Sequence, residues 1–423
     1  MKKNKTLLET VSIIIAKVGT LALAMINMVL IARGLGVETR GAYAAILVFP
    51  QLITAFTEGG MRQSSVFFIG KCHDNLSYIS SSLYIYNIIA SFIGFSLCYY
   101  LMEYQGNFSL SIVMIASLII PISLFLNGYK GVLLGLGLIK LFNHSLWYSK
   151  LIASLIIVVL YVCNEMSLLR IVMITVLTEL ISLLQVVYYL WRRDKLKFEY
   201  DHRFVIIMMK KGFLYSIGFF LIQANYKLDL MMLSIWSNKY ELGIYAVTSQ
   251  IVDVIWQVPS AVVLVLLSKV ANSQGNNEEL ICISSRTTLF VCLTITVISL
   301  FLLSPLTNYI LGREYSEVYG IFVILSPGII LCSLFKTINS YYAGKGNPKV
   351  SIVVMGLAVL VNVLMNYNLI PSLGARGAAI SSSFSYIISS IVITIYFCKT
   401  QNCSLYDVVV LKYNDIKKVK IRS

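Results

Sequence analysis

Ionisable side chains interrupt several stretches of the sequence that are otherwise apolar. They are Lys17, Glu58, Arg62, Lys150, Glu179, Lys227, Asp229, Asp253 and Lys336. A charged group at the centre of a bilayer costs about 2.5–3.5 kcal/mol, so such residues normally face protein or water and serve a function. The sequence has no Cys/His zinc cluster, P-loop or G-x-S-x-G motif beside them. The pattern therefore predicts binding of charged molecules, without catalysis, a metal or a cofactor.

Local spacing indicates which of these charges can neutralise one another. Glu58 and Arg62 are one helical turn apart and are predicted to pair, either as a structural ion pair or within a site. Lys17, Lys227 and Lys336 have no acid one turn away. Several such cations around one chamber would suit an anionic, hydroxyl-rich headgroup, whereas a cavity for cationic drugs would prefer acids and aromatic rings.

Two further lysines receive separate interpretations. Lys227 and Asp229 are two residues apart, so they point to different sides of a helix and cannot simply neutralise each other. Lys150 lies near a predicted helix end, where its long side chain is expected to reach the interface. We therefore leave Lys150 out of the predicted chamber.

Polar residues form stripes along three of the apolar stretches. They include Asn87 in the third stretch, Gln250, Asp253 and Gln257 in the eighth, and Asn362 and Asn366 in the eleventh. The spacings of three, four and seven residues place each set on one helix face. Such a stripe either holds helices together by hydrogen bonds or lines a water-filled cavity, and both interpretations stay open.

Composition identifies the elements that must position these residues. The chain has 423 residues, 58% of them hydrophobic and 13% charged, whereas soluble proteins carry roughly 25% charged residues. We predict an all-α integral membrane protein with twelve spans, because each span needs about 20 apolar residues. The predicted spans are 10–32, 41–69, 78–101, 109–135, 143–163, 168–191, 211–235, 243–270, 287–304, 319–342, 350–370 and 376–398.

The net charge of +15 is explained by cations that flank the spans, so nucleic-acid binding is not expected. With a cytoplasmic N-terminus, 23 Lys and Arg residues fall on the inner side and six on the outer side. Cytoplasmic loops of membrane proteins carry this excess of cations. The count predicts cytoplasmic termini, and the apolar run after the basic N-terminus is expected to be an uncleaved first span.

Two sequence echoes indicate an internal duplication. Gly41, Tyr43 and Ala44 open the second span as Gly243, Tyr245 and Ala246 open the eighth. A second echo links residues 135–140 with 344–349. We expect an N-terminal six-helix lobe (1–195), a cytoplasmic linker (196–204), a C-terminal six-helix lobe (205–400) and a cytoplasmic tail (401–423). Two parallel bundles with a seam between them are typical of alternating-access transporters.

Three motifs resemble those of a known family. Residues 32–36 with Gly41 and Tyr43 resemble the A-R-x-L-G-x-x-x-x-G-x-Y start of polysaccharide flippases of the MOP exporter superfamily. Residues 227–250 are similar to its block in helices seven and eight, and residues 374–379 to its G-x-x-G-A-A segment before helix twelve. The resemblance covers essentially the whole chain and implies a V-shaped flippase of the O-antigen (Wzx) type.

Such proteins move an undecaprenyl-diphosphate-linked oligosaccharide, the repeat unit of an O-antigen of lipopolysaccharide or of a capsule, from the inner to the outer leaflet of the bacterial inner membrane. The resemblance implies membrane lipids, a glycan polymerase and assembly proteins as partners. It also implies headgroup contacts by Lys17, Arg62, Lys227 and Lys336. Glu58, Asp229 and Asp253 would tune these cations or couple transport to a proton or Na⁺. Polar lining would come from Asn87, Gln250, Gln257, Asn362 and Asn366.

Three alternatives stay open. A lipid II flippase of the same superfamily usually adds helices thirteen and fourteen, and a cation-coupled multidrug antiporter has the same fold. A membrane-embedded glycan polymerase or ligase belongs to another class and is expected to carry a large external loop, whereas the loops of this sequence are short. The motifs are shared across the superfamily and identify no particular sugar.

Overall fold

The computed structural model describes residues 2–71, 76–106, 108–193, 195, 199–272 and 277–412. The side chains of residues 2–18, 71, 139, 264, 265, 267, 268, 271, 272 and 306 lie outside this description. Helices dominate these residues, and no strand occurs among them. The helices are α1 (Lys2–Thr57), α2 (Met61–Lys71), α3 (Leu76–Gln105), α4 (Leu110–Ser117), α5 (Ile119–Gly135), α6 (Ile139–Val162), α7 (Leu168–Trp191), α8 (His202–Trp236), α9 (Lys239–Ile255), α10 (Gln257–Asn272), α11 (Glu278–Leu306), α12 (Glu317–Gly344), α13 (Lys349–Gln401) and α14 (Leu405–Val409). A π-helical turn (Thr307–Leu311) and a 3₁₀ turn (Arg313–Tyr315) separate α11 from α12.

The apolar helices agree with the predicted spans. Nine helical segments of the described residues are long and apolar enough to cross a membrane, and the bent pair α9 and α10 brings the number to ten. The long helices α1 and α13 each contain one residue with non-helical backbone angles, Gly36 and Gly374. These residues lie between predicted spans one and two and between spans eleven and twelve. Counting α1 and α13 as two spans each gives the predicted twelve, and the all-α membrane fold is confirmed.

Three predicted spans are interrupted within the membrane stretch. Span two breaks at Gly59 and Gly60, which have φ angles of 57° and 67°. Span four divides at Leu118 into α4 and α5. Span eight bends by 40° at Trp256, between α9 and α10. Windows of mean hydropathy average over about 20 residues, so they do not locate a break of one or two residues.

The chain packs as two units, Met1–Phe220 and Leu221–Ser423, which divide inside α8. The core of the first unit includes Leu83, Val132 and Leu190. The core of the second unit includes Phe335, Met355 and Phe397. The lobe boundary proposed at residues 196–204 lies before this division and stays a prediction.

The tyrosines of the first sequence echo make corresponding contacts in their own units. The Tyr43 hydroxyl lies 2.8 Å from Thr175 Oγ1, and so joins the second predicted span to the sixth. The Tyr245 hydroxyl lies 3.2 Å from Ser382 Oγ, and so joins the eighth span to the twelfth. The echo thus has a structural counterpart in each half of the chain.

Candidate functional site

The break in span two positions a buried carboxylate in the first unit. Glu58 is 4% exposed and directly precedes the two left-handed glycines. Its Oε1 lies 3.6 Å from Arg62 Nε, so the predicted pair is present. Its Oε2 accepts a long hydrogen bond of 3.4 Å from Asn127 Nδ2. Both contacts are weaker than ideal, because charge-assisted N–H···O bonds are usually about 2.7–2.9 Å long.

Two lysines join this cluster. Lys130 on α5 and Lys150 on α6 both interact electrostatically with Glu179 on α7, and Lys130 also lies within range of Arg62. The sequence analysis did not single out Lys130, and it placed Lys150 at the interface. One signal was present, since Asn127 and Lys130 are three residues apart and therefore share a helix face.

An aromatic box surrounds a lysine in the second unit. We define the aromatic box as Tyr226, Trp256 and Tyr386, whose ring centroids are 4.7–5.8 Å apart. Lys336 Nζ lies 4.4 Å from the Trp256 ring centroid and 4.8 Å from that of Tyr226. An ammonium group over aromatic faces is attracted by the ring quadrupoles. The three rings also line a small pocket together with Asp253.

Lys227 has an acid partner that its own helix does not provide. Lys227 Nζ lies 3.3 Å from Asp253 Oδ2, which belongs to α9. The Lys227 side chain is 21% exposed and that of Asp253 is 46% exposed, so the pair remains accessible. The structure thus brings three predicted residues together, because Asp253 also attracts Lys336. It corrects the sequence-based picture of unpaired cations, which considered only acids on the same helix.

Asp229 belongs to a separate, buried network. Its carboxylate accepts hydrogen bonds from the Tyr245 hydroxyl, from Ser382 Oγ at 2.8 Å and from the Leu230 backbone N–H at 2.8 Å. Asn362 Nδ2 donates to Ser382 Oγ, and Asn366 Nδ2 donates to Asn362 Oδ1. Asp229 and Lys227 therefore face different neighbours, as predicted from their spacing.

The remaining predicted residues occupy different places. Asn87 is buried and donates to the Leu124 backbone carbonyl at 3.3 Å, so it joins α3 to α5. Gln250 has a buried Oε1 without a hydrogen-bond partner in the described residues. Gln257 is exposed at the start of α10, beyond the bend at Trp256. The Lys17 side chain lies outside the described residues. Those residues contain no group of three His, Cys, Asp or Glu side chains that could hold a metal ion.

Comparisons with known proteins identify the fold and the family. The profile of the family described as "Polysaccharide biosynthesis protein" matches residues 7–267, more than half of the chain. No curated protein matches the chain by sequence.

Solved structures of transporters share the fold. The lipid II flippase MurJ in an inward closed conformation is 17% identical, with a TM-score of 0.73 over 97% of this chain and 92% of that one. The MATE multidrug transporter DinF-BH is 15% identical, with a TM-score of 0.68 over 95% and 96%. An inward-facing multidrug resistance MATE transporter of the MOP superfamily is 12% identical, with a TM-score of 0.66 over 90% and 94%.

These neighbours are transporters and flippases rather than enzymes, in agreement with the prediction of a non-catalytic protein. Their low identity to this chain establishes the fold, while the profile match establishes the family. The chain belongs to the polysaccharide biosynthesis protein family and has the fold of the MOP superfamily transporters.

Proposed function

We propose that the protein is a flippase for a polyprenyl-diphosphate-linked oligosaccharide, such as the repeat unit of an O-antigen or capsule, in the bacterial inner membrane. A diphosphate carrying several sugars cannot cross about 30 Å of hydrocarbon without a polar route. Alternating access, typical of transporters built from parallel repeats, would carry the headgroup while the polyprenyl tail stays in lipid. Membrane lipids, a glycan polymerase and assembly proteins are the proposed partners.

One observation carries this proposal: the polar cluster of each unit holds cations in contacts that an anion can replace. Arg62 lies 3.6 Å from its carboxylate, Lys227 pairs with a half-exposed acid, and Lys336 rests on ring faces. Lys130 and Lys150 both interact with the acid Glu179. Diphosphate oxygens would offer the cations of either cluster charge-assisted hydrogen bonds, which are roughly twice as strong as neutral ones.

The same arrangement argues against a multidrug antiporter. A cationic drug would need the acid and the aromatic rings of the second unit. Lys227 already pairs with Asp253, and Lys336 already occupies the faces of Tyr226 and Trp256. A drug would have to displace two cations of the protein itself, whereas an anion would only have to join them.

We further propose that Asp229 couples transport to a proton or Na⁺. Hard cations prefer oxygen ligands, and the Asp229 carboxylate lies beside the hydroxyl oxygens of Tyr245 and Ser382. Asn366 Oδ1 adds a buried oxygen without a hydrogen-bond partner among the described residues. Asn366 is connected to Asp229 through the side chains of Asn362 and Ser382.

A lipid II flippase is the second candidate, because the lipid II flippase MurJ shares the fold over nearly the whole chain. Both candidate substrates present a diphosphate on a polyprenyl tail, so the clusters described above would bind either headgroup. The attached sugars or peptide, rather than the cations, must then separate the two functions.

The test is transport by purified protein in liposomes that contain fluorescent polyprenyl-diphosphate oligosaccharide, lipid II or a cationic dye. We expect Arg62→Ala and Lys227→Ala to lower oligosaccharide transport by about 10- to 100-fold, because each removes a charge-assisted bond of about 1.5–3 kcal/mol. Lys349→Ala, which removes an exposed cation at the start of α13, is the matched control and should transport normally.

Full transport by both variants would contradict the proposed role of the cations. Transport of lipid II alone would select the second candidate. Transport of the dye alone would select the antiporter.

A further inference from the structure

Three cysteines meet at one end of the second unit, away from the polar clusters described above. Cys282 lies in the second turn of α11, Cys398 near the end of α13, and Cys403 in the turn before α14. Cys282 belongs to the buried core of the second unit, and Cys398 and Cys403 pack against the same core. The Cys403 thiol interacts electrostatically with those of Cys282 and Cys398. Cys282 is 5% exposed, while the other two are half-buried. These thiols therefore differ from the exposed Cys163, which lies in the first unit.

The backbone around Cys403 is fixed by several interactions. Asn402 ends α13 in the left-handed conformation, and Cys403 N–H donates to the Cys398 carbonyl at 3.2 Å. Arg286 on α11 donates to the Asp407 carbonyl of α14 at 2.6 Å. Val408 is fully buried in the same core as Cys282. Residues 403–408 are thus held against α11.

An ion pair between Lys412 and Asp407 stabilises the charged form of the Asp407 carboxyl beside Cys403. Lys412 Nζ lies 2.5 Å from Asp407 Oδ1, and this neighbour lowers the pKa of the Asp407 carboxyl below its ordinary value. The Asp407 carboxylate in turn accepts from the Ser404 backbone N–H and completes the capping box of α14. The turn that carries Cys403 therefore has a defined geometry.

We propose that Cys403 and Cys282 form a reversible disulfide, with Cys398 as the second thiol that Cys403 can reach. A disulfide requires Cα atoms about 4.4–6.8 Å apart. The Arg286 hydrogen bond to Asp407 and the shared core hold the segment of Cys403 against the helix of Cys282. Each of the two thiols loses one proton and one electron when the S–S bond forms. An added diazene oxidant such as diamide accepts both protons and both electrons and becomes a hydrazine.

The bond would join the start of α11 to the segment after α13 and close a loop of about 120 residues. A covalent link across so long a loop restricts the unfolded chain and raises the unfolding temperature. Oxidation would therefore join the segment after α13 to the start of α11 by a covalent bond.

The test treats purified full-length protein with diamide, blocks free thiols with N-ethylmaleimide, isolates the monomer and digests it with trypsin. Cleavage after Lys269, Arg286, Arg376, Lys399 and Lys412 places the three cysteines on three different peptides. We expect mass spectrometry to find peptide 270–286 linked to peptide 400–412, and dithiothreitol to separate them. The unfolding temperature of the oxidised protein should rise and return on reduction.

Cys403→Ser should abolish both the link and the temperature shift, whereas the matched control Cys163→Ser should keep both. Circular dichroism of the reduced variants establishes that each is folded. Absence of the linked peptides in the oxidised wild type would overturn the proposal, and so would a link that survives in Cys403→Ser.

Discussion

Asp229 and Asp253 lie on neighbouring helices of one unit but have opposite surroundings. Asp229 is 1% exposed and accepts three hydrogen bonds, two of them from hydroxyl groups. The Asp253 side chain is 46% exposed and has one ion-pair partner. When a buried carboxylate oxygen is replaced by an amide N–H group, the donors around it lose their acceptor. When an accessible carboxylate is replaced, water can take over its hydrogen bonds.

Asp229→Asn should therefore lower the free energy of unfolding by about 1–3 kcal/mol, the cost of leaving a buried polar group without its partner. Asp253→Asn, its matched control, should cost about 1 kcal/mol or less, as is typical of accessible ion pairs. Thermal unfolding of both variants in detergent, followed by circular dichroism, measures the difference. Equal unfolding temperatures would contradict the distinct role assigned to the Asp229 network.

The sequence predicted the site only in part, for a reason that Lys227 illustrates. Spacing along one helix correctly separated Lys227 from Asp229 and correctly paired Glu58 with Arg62. The partner Asp253 lies 26 residues away on another helix. Contacts between helices depend on their rotation and depth, which a periodic pattern does not fix. The aromatic box was missed for the same reason, since its rings come from α8, α13 and the bend between α9 and α10.

At the scale of elements, the break in span two depends on a close approach of two backbones. A Cβ atom on Gly60 would lie 2.1 Å from the Gly212 carbonyl oxygen, and the φ angle of Gly60 is 67°. Gly106 has a similar φ angle of 64° but nothing within 4 Å of an added Cβ. Substitutions at these two glycines can therefore distinguish the effect of steric contact from the effect of backbone strain.

Gly106→Ala should lower the free energy of unfolding by about 1–2 kcal/mol, the usual penalty of a left-handed conformation. Gly60→Ala should cost about 2–5 kcal/mol, because overpacking adds about 1–3 kcal/mol. Thermal unfolding of the two variants and the yield of folded protein on size exclusion provide the comparison. If Gly60→Ala is as stable as Gly106→Ala, the two backbones are not in close contact.

The spans themselves were predictable because lipid imposes a simple length and composition rule. Predicted span six, 168–191, coincides with α7. The breaks at Gly59–Gly60 and Trp256 were not predicted, although glycine pairs and the nearby Pro259 are signals of irregular backbone. Tertiary contacts decide whether a membrane helix breaks at such a signal or continues through it.

At the scale of the whole molecule, 23 Lys and Arg residues fall on the predicted inner side of the membrane and six on the outer side. This excess predicts that both termini are cytoplasmic. In bacterial cells, green fluorescent protein fused to the C-terminus should fluoresce, because it does not fold to a fluorescent form outside the cytoplasm after unfolded export. Alkaline phosphatase should be active when fused after Gln105 and inactive when fused after Arg193. The reverse pattern of phosphatase activity would invert the proposed orientation.

The tyrosine contacts of the two units carry a consequence for the origin of the chain. Tyr43 and Tyr245 are 202 residues apart, and the same offset relates Asn27 to Asp229. Asn27 has a buried Oδ1 without a hydrogen bond in the described residues, whereas Asp229 binds the Tyr245 hydroxyl. If both halves descend from one ancestral gene, the tyrosine contact arose before the gene fusion. The difference between Asn27 and Asp229 arose after it. A homodimeric ancestor would have carried the same residue at the positions that correspond to Asn27 and Asp229. Only a fused chain could therefore place a carboxyl group in one half and an amide in the other.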